Sequence, residues 1–189
     1  MRFYVASAAA LVMLAGCVNP TKTETAPEVR AQTSFEADAM LAKTLPEISD
    51  ELAAGTMTSV GLTSAYLSRI AAIDDTGPRL QAVIAVNPDA LAQARASDER
   101  RAAGQALGPL DGVPILLKDN IETLDPMATT AGSLALKDNV TGRDSPLVAG
   151  LRAEGAVILG KTNLSEWANF RSNFSMSGWS GVGGQTRNP

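Results

Sequence analysis

The most constraining feature of the sequence is the run Gly112-Val113-Pro114-Ile115-Leu116-Leu117-Lys118-Asp119-Asn120, a nearly unbroken apolar stretch that ends in a lysine. A run this short, bounded by glycine and by Asp-Asn, reads as a strand buried on both faces, as in a sheet covered by helices. The residue at the carboxyl end of such a strand sits where open α/β sheets place their chemistry, which makes Lys118 the first candidate for a working residue. Pattern alone leaves a rival, because Val157-Ile158-Leu159-Gly160-Lys161-Thr162-Asn163 also sets a lysine and an asparagine at the exit of an apolar run. For either lysine to act as a base near neutral pH, its pKa must fall from about 10.4 to about 7, a differential of roughly 4–5 kcal/mol that burial among apolar side chains can supply. A neighbouring carboxylate such as Asp119 works the other way unless its side chain points elsewhere or is held by hydrogen bonds.

Composition narrows the chemistry. The 189 residues contain no histidine, which removes Ser-His-Asp and Cys-His catalysis, His-ligated zinc and imidazole acid-base steps from this chain. A general base must then be a carboxylate, a tuned lysine or an outside group. With 45% hydrophobic and 19% charged residues the chain reads as one globular domain with a sizeable core. The net charge of -4, and Arg100-Arg101 as the only adjacent cation pair beside Asp98 and Glu99, argue against a nucleic-acid partner. Gly181-Val182-Gly183-Gly184 is no phosphate loop, since no suitable strand leads into it. No metal and no cofactor are expected.

The first residues read as a targeting segment. Met1-Arg2 is a minimal positive region, residues 3–14 are apolar but too short to span a bilayer, and Leu14-Ala15-Gly16-Cys17 is a small-residue cleavage site. Residues 1–16 are thus expected to be a signal peptide. The four residues resemble a bacterial lipobox, which implies lipidation at Cys17 and a membrane anchor there; Val18 after the cysteine points to the outer membrane, on the periplasmic side of the cell envelope. Multiple acyl chains on one residue would hold durably, where a single chain would not. Residues 17–34, rich in Thr, Pro, Glu and Lys, read as a flexible tether, and the folded domain is expected over 35–189.

Within that domain, residues 35–104 read as mostly helical. Leu45, Ile48 and Leu52 share the face of a short helix closed by Gly55, and Leu62, Ala65, Tyr66, Ile70 and Ile73 recur at helical spacing in the next. Residues 80–86 form a strand candidate, Asn87-Pro88 an N-cap for the Ala-rich stretch 89–103, and Gly104 its end. Thr129-Thr130-Ala131-Gly132-Ser133 is a small-residue loop that would let backbone approach a ligand. Asp144-Ser145-Pro146 caps a helix with Leu147, Val148 and Leu151 on its apolar face, and 156–159 is a second buried strand.

The segments Gly108-Pro109-Leu110-Asp111-Gly112 through Asn120, Thr129-Thr130-Ala131-Gly132-Ser133, and Gly155-Ala156 through Asn163 resemble the amidase signature family in order and spacing. Leu164-Ser165-Glu166-Trp167-Ala168-Asn169-Phe170-Arg171-Ser172 and the Gly183-Gly184-Gln185-Thr186-Arg187-Asn188-Pro189 segment resemble its bacterial peptide amidase branch, which releases ammonia from C-terminally amidated peptides. The resemblance implies an α/β fold, specifically part of an amidase-signature α/β/α fold with N-terminal helices followed by the first strands of a mixed sheet. It also implies a Ser-Ser-Lys mechanism: a buried neutral lysine takes a proton through a bridging serine, a second serine attacks the amide carbonyl, and backbone N–H groups form the oxyanion hole. By that resemblance Lys118 is the general base and Lys161 belongs to a structural Lys-Thr-Asn turn.

The family's bridging and nucleophilic serines lie in a Gly/Ser-rich segment beyond the position matching Asn188-Pro189, so no serine among these residues takes either role by motif. Asn120, Ser133, Trp167, Phe170 and Trp179 are the substrate-pocket candidates, for a small amide or an amidated peptide. The chain is accordingly expected to be the truncated, N-terminal part of an amidase, inactive alone, with exposed sheet edges that favour aggregation until a second piece completes the fold. The alternative is a non-catalytic lipoprotein remnant or binding module; an in-frame Gly/Ser-rich continuation past Pro189 in the coding DNA would separate the two.

Overall fold

The computed structural model describes residues 40, 42–170, 173, 174 and 176–189. The expected signal peptide, Cys17 and the tether lie outside the described residues, as do Ser172 and Ser175. Among the described residues no helix is long and apolar enough to cross a membrane.

Helix α1 (Leu45–Ala54) begins where the Glu47 carboxylate accepts from the Thr44 backbone N–H at 2.7 Å and ends at Gly55, whose left-handed φ of 71° closes the last turn. Ile48 and Leu52 pack with Met57, Leu62 and Val113, but Leu45 lies on the outer side of the helix. Helix α2 (Ser59–Arg69) runs into a π-helical turn, Ile70–Asp75. Its first turn is capped from outside by Asp98, which accepts from the Ser59 and Val60 N–H groups at 2.7 and 3.0 Å. Asp98 lies on helix α3 (Ala90–Ala102), whose fully buried Ala90 and Ala94 let it pack closely beside α2 and over Val157 and Leu159. The residue at the N-cap position of α3 is Asp89 rather than Asn87. Asn87 is buried just ahead of the helix, donating to the Ile158 carbonyl at 2.7 Å and to Asp125 at 2.9 Å.

Three strands form a mixed sheet in the order β1-β3-β2: β1 (Val83–Val86), β2 (Pro114–Lys118) and β3 (Val157–Thr162). Strand β3 is central, parallel to β2 and antiparallel to β1. Helix α4 (Pro146–Ala153) starts at Ser145, whose hydroxyl accepts from the Val148 N–H at 3.3 Å. It covers the sheet face opposite α2 and α3, with Val148 packed on Leu117, Met127 and Ile158, while Leu147 turns outward. The result is the expected α/β/α layering, a mixed sheet between helices.

One expectation is corrected by the sheet. Strand β3 is buried on both faces through its first five residues, but β2 is not: Leu116 is 37% exposed and Lys118 is exposed as well. The cause is position. Strand β2 is an edge strand whose second face has no helix over its carboxyl half among the described residues. A short hairpin, β4 (Trp179–Ser180) with β5 (Gly184–Gln185), folds back on the domain: Thr186 Oγ1 donates to the Gln81 carbonyl at 2.9 Å and the Arg187 N–H to that of Leu80 at 2.8 Å.

Candidate active site

The register of β2 and β3 separates the two lysines that sequence pattern leaves equivalent. Leu117 pairs with Lys161 and Lys118 with Thr162, and because side chains alternate along a strand the two lysines leave opposite faces of the sheet. Lys161 enters the interior beside Leu117. It is 0% exposed, and its Nζ donates to the Ile121 carbonyl at 2.6 Å and to Thr129 Oγ1 at 2.8 Å. Burial pushes its pKa below the ordinary lysine value, against the opposing pull of Asp119, Asp125 and Glu122. Lys118 stands on the uncovered face at the last position of β2, and its carbonyl accepts from the Ile121 N–H at 2.9 Å to turn the chain out of the sheet.

Asp119 points away from Lys118 by the same alternation. It is buried, its carboxylate accepts from the Thr130 hydroxyl and, at 3.3 Å, from the Thr130 N–H, and its carbonyl accepts from Thr130 N at 3.1 Å and Ala131 N at 3.0 Å. The Asp119 carboxylate is therefore engaged on loop 129–133, on the face away from the Lys118 side chain.

That loop is the meeting point of three segments. The Trp167 N–H donates to the Ala131 carbonyl at 3.0 Å and the Val182 N–H to that of Gly132 at 3.0 Å, while Glu166 accepts from the Gly181 N–H at 2.8 Å. Gly132 is required here: its φ is 80°, and a Cβ would lie 2.6 Å from that of Ser180 and 3.2 Å from the Glu166 Cα. Ala131, Trp167, Ala168 and Asn169 hold φ values of 51°, 48°, 54° and 62°, a left-handed conformation that costs free energy in any residue with a Cβ. Strain is thus concentrated where the two loops touch.

Beside this junction opens a cleft of about 610 Å³, walled by Asn120, Ile121, Glu122, Thr129, Ala131, Leu136, Asn139, Ser145, Leu147, Leu164, Trp167 and Ala168. Its walls are mostly apolar with a few convergent amide and hydroxyl groups, the usual character of a small-molecule site. Glu122 at its rim is paired to Arg143 at 2.8 Å, a bond that holds its carboxyl below the ordinary range.

Of the candidates read from sequence, Asn120 and Trp167 come together in this cleft, Trp167 half exposed. Ser133 is buried at the far end of the loop, Trp179 sits in the β4–β5 hairpin, and Phe170 is 76% exposed; none of the three lines the cleft. Lys118 does not line it either. Ile121, Thr129, Asn139 and Leu147 also line the cleft, beyond the five pocket candidates that the sequence offers. They come from separate segments, each unremarkable alone, and the one usable signal was that Thr129 opens the small-residue loop.

Residues 61–189 match the Amidase family. A probable amidase of Arabidopsis thaliana is 40% identical over 191 residues, a match taking in 100% of this chain and 36% of that protein. Among solved structures, the native peptide amidase from Stenotrophomonas maltophilia superposes with a TM-score of 0.75 at 57% identity, over 78% of this chain and 30% of that one. An amidase family protein from Bacillus anthracis gives 0.77 at 35% identity, over 88% and 32%. The chain therefore spans about a third of the length of these relatives. The family match over residues 61–189, with these likenesses in sequence and fold, shows the family: this chain belongs to the Amidase family.

Proposed function

We propose that this chain is the lysine-bearing part of an amidase that hydrolyses linear C–N amide bonds, with C-terminal peptide amides as the substrate class. The observation that carries the reading is the family match over 61–189; the likeness to a peptide amidase at 57% identity supports the finer substrate class. In this reading Lys118 is the general base of a Ser-Ser-Lys mechanism. Its place at the carboxyl end of β2, with the Asp119 carboxylate engaged on loop 129–133, suits that role. Asn120 and Trp167, which line the cleft, and Ser133, Phe170 and Trp179, which do not, are the proposed substrate contacts; Lys118 lies outside the cleft, so the reacting bond is not held within it.

Residues 1–189 contain no serine in either partner position, so the 189-residue polypeptide by itself is inactive. The exposure of Lys118 at the end of β2 favours this, since an acyl-transfer site at work is closed around its substrate. The same exposure is the observation that favours the second reading, a non-catalytic remnant or binding module. We place the protein outside the cytoplasm, on the periplasmic side of the outer membrane, anchored through acylated Cys17. The test is ammonia release from an amidated peptide. The purified 189-residue polypeptide should give none, whereas the same polypeptide joined to the rest of a related amidase should turn over and should lose activity when Lys118 is replaced. Turnover by the short form overturns the claim of inactivity; silence of the joined form favours the remnant.

A further inference from the structure

Lys161 is the largest fully buried side chain among the described residues, and the mechanism proposed above does not use it. Its two acceptors belong to different segments. The Ile121 carbonyl, at 2.6 Å, ends the turn that begins at Lys118, and Thr129 Oγ1, at 2.8 Å, begins loop 129–133. Both acceptor residues line the cleft, so the amine lies behind its wall. On the other flank Asp119 binds the same two segments together through Thr130 and Ala131. Loop 129–133 is anchored at its start by Asn139, whose carbonyl accepts from the Thr129 N–H at 2.9 Å and whose side-chain amide donates to the Thr129 carbonyl at 3.0 Å.

A buried amine of this kind is poorly suited to proton transfer with a substrate. It has no exposed surface, and one of its partners is a backbone carbonyl, which can only accept. It is well suited to holding two segments at a fixed distance, because losing either acceptor would leave a buried polar group unsatisfied. We infer that Lys161 is a positioning residue, whose buried Nζ clamps the 118–121 strand exit to loop 129–133 and so fixes both the approach of Lys118 and the cleft wall beside Asn120. The meaning of the clamp for catalysis rests on the amidase reading; the clamp itself is tested without substrate, so the two can fail separately.

The measurement is amide hydrogen exchange on the 189-residue chain and on three variants, Lys161→Met, Thr129→Val and Thr129→Ser. The reporters are the Thr130 and Ala131 amides, which donate to the Asp119 carbonyl, and the control is the Val157 amide, which donates to the Val113 carbonyl at 2.9 Å in the sheet. Thr129→Val should speed exchange at Thr130 and Ala131 by about tenfold while leaving Val157 unchanged, the loss expected from one buried hydrogen bond that opens a local unit. Thr129→Ser, which keeps the hydroxyl, should restore protection. Lys161→Met should give the Thr129→Val pattern; where it prevents folding, the two Thr129 variants carry the test. Unchanged exchange at Thr130 and Ala131 in Thr129→Val, or equal acceleration at Val157, would overturn the inference.

Discussion

Lys118 and Lys161 carry the same amine on opposite faces of one sheet, and their surroundings divide the labour between them. Lys161 is enclosed and bonded to fixed acceptors, whereas Lys118 is exposed at a strand end. Replacing Lys118 by alanine should therefore leave the stability of the chain within about 0.5 kcal/mol in urea unfolding, as at other exposed positions. In a complete amidase the same change should lower kcat by about 100-fold or more, the scale of a lost general base, measured as ammonia release. The strand itself was legible in the sequence, from the apolar run that ends at Lys118. What the sequence could not say is which face each lysine would take. That depends on a register irregularity between Ile115 and Leu116, where β3 carries one extra residue, and no composition signal announces it.

At the scale of elements, the base of α4 is held by charge. Arg152 pairs with Asp125 and Asp144, both at 2.8 Å, and Asp125 also accepts from Thr123, Asn87 and Gln93. Burial alone would raise the Asp125 carboxyl, but these donors hold it below the ordinary range, and the Arg152 bond does the same for Asp144. Carboxyls whose folded pKa is depressed contribute their full stabilisation above about pH 4 and lose it as the pH falls through the lower folded values. Arg152→Met should therefore destabilise the chain by about 3 kcal/mol at pH 7, because it leaves a buried carboxylate unpaired. The gap to the parent should narrow below about pH 4 in chemical unfolding followed by circular dichroism. Gly132→Ala should cost about 1–3 kcal/mol by the same method, since it adds a Cβ at a left-handed φ against Ser180. The helices and caps were largely readable in advance from Gly55, Ser145 and Pro146. The outward turn of Leu45 and Leu147 was not, because periodicity tells which residues share a stripe and not how wide a neighbour covers it.

Among the described residues the three layers form a sandwich that is open on one side. Leu116 and Val86 are exposed on the sheet, and both β1 and β2 are edges among the described residues. Unpaired edges with apolar side chains invite association. The isolated chain should self-associate at micromolar concentration, and Leu116→Lys should reduce this without lowering the unfolding free energy by more than about 0.5 kcal/mol; sedimentation velocity checks the first and urea titration the second. Here too the sequence was informative up to a boundary: strands and layers could be named from apolar runs, but burial of β2 on both faces could not be judged from β2 alone, because the cover comes from elsewhere.

The order of the strands has a further consequence, for timing. Both β1 and β2 hydrogen-bond to β3, with Val83 on Thr162 and Pro114 on Val157, so each waits for a strand that is made after it. A ribosome that has released the first 150 residues has released neither half of the ladder's shared partner, and the contacts that close the sheet are long-range and slow to form. Until residues 157–162 emerge, α2 and α3 have no Val157 and Leu159 to pack on and β2 has no ladder. Sheet closure is thus set by the emergence of the central strand, and the helices and edge strands made before it have no common partner until then.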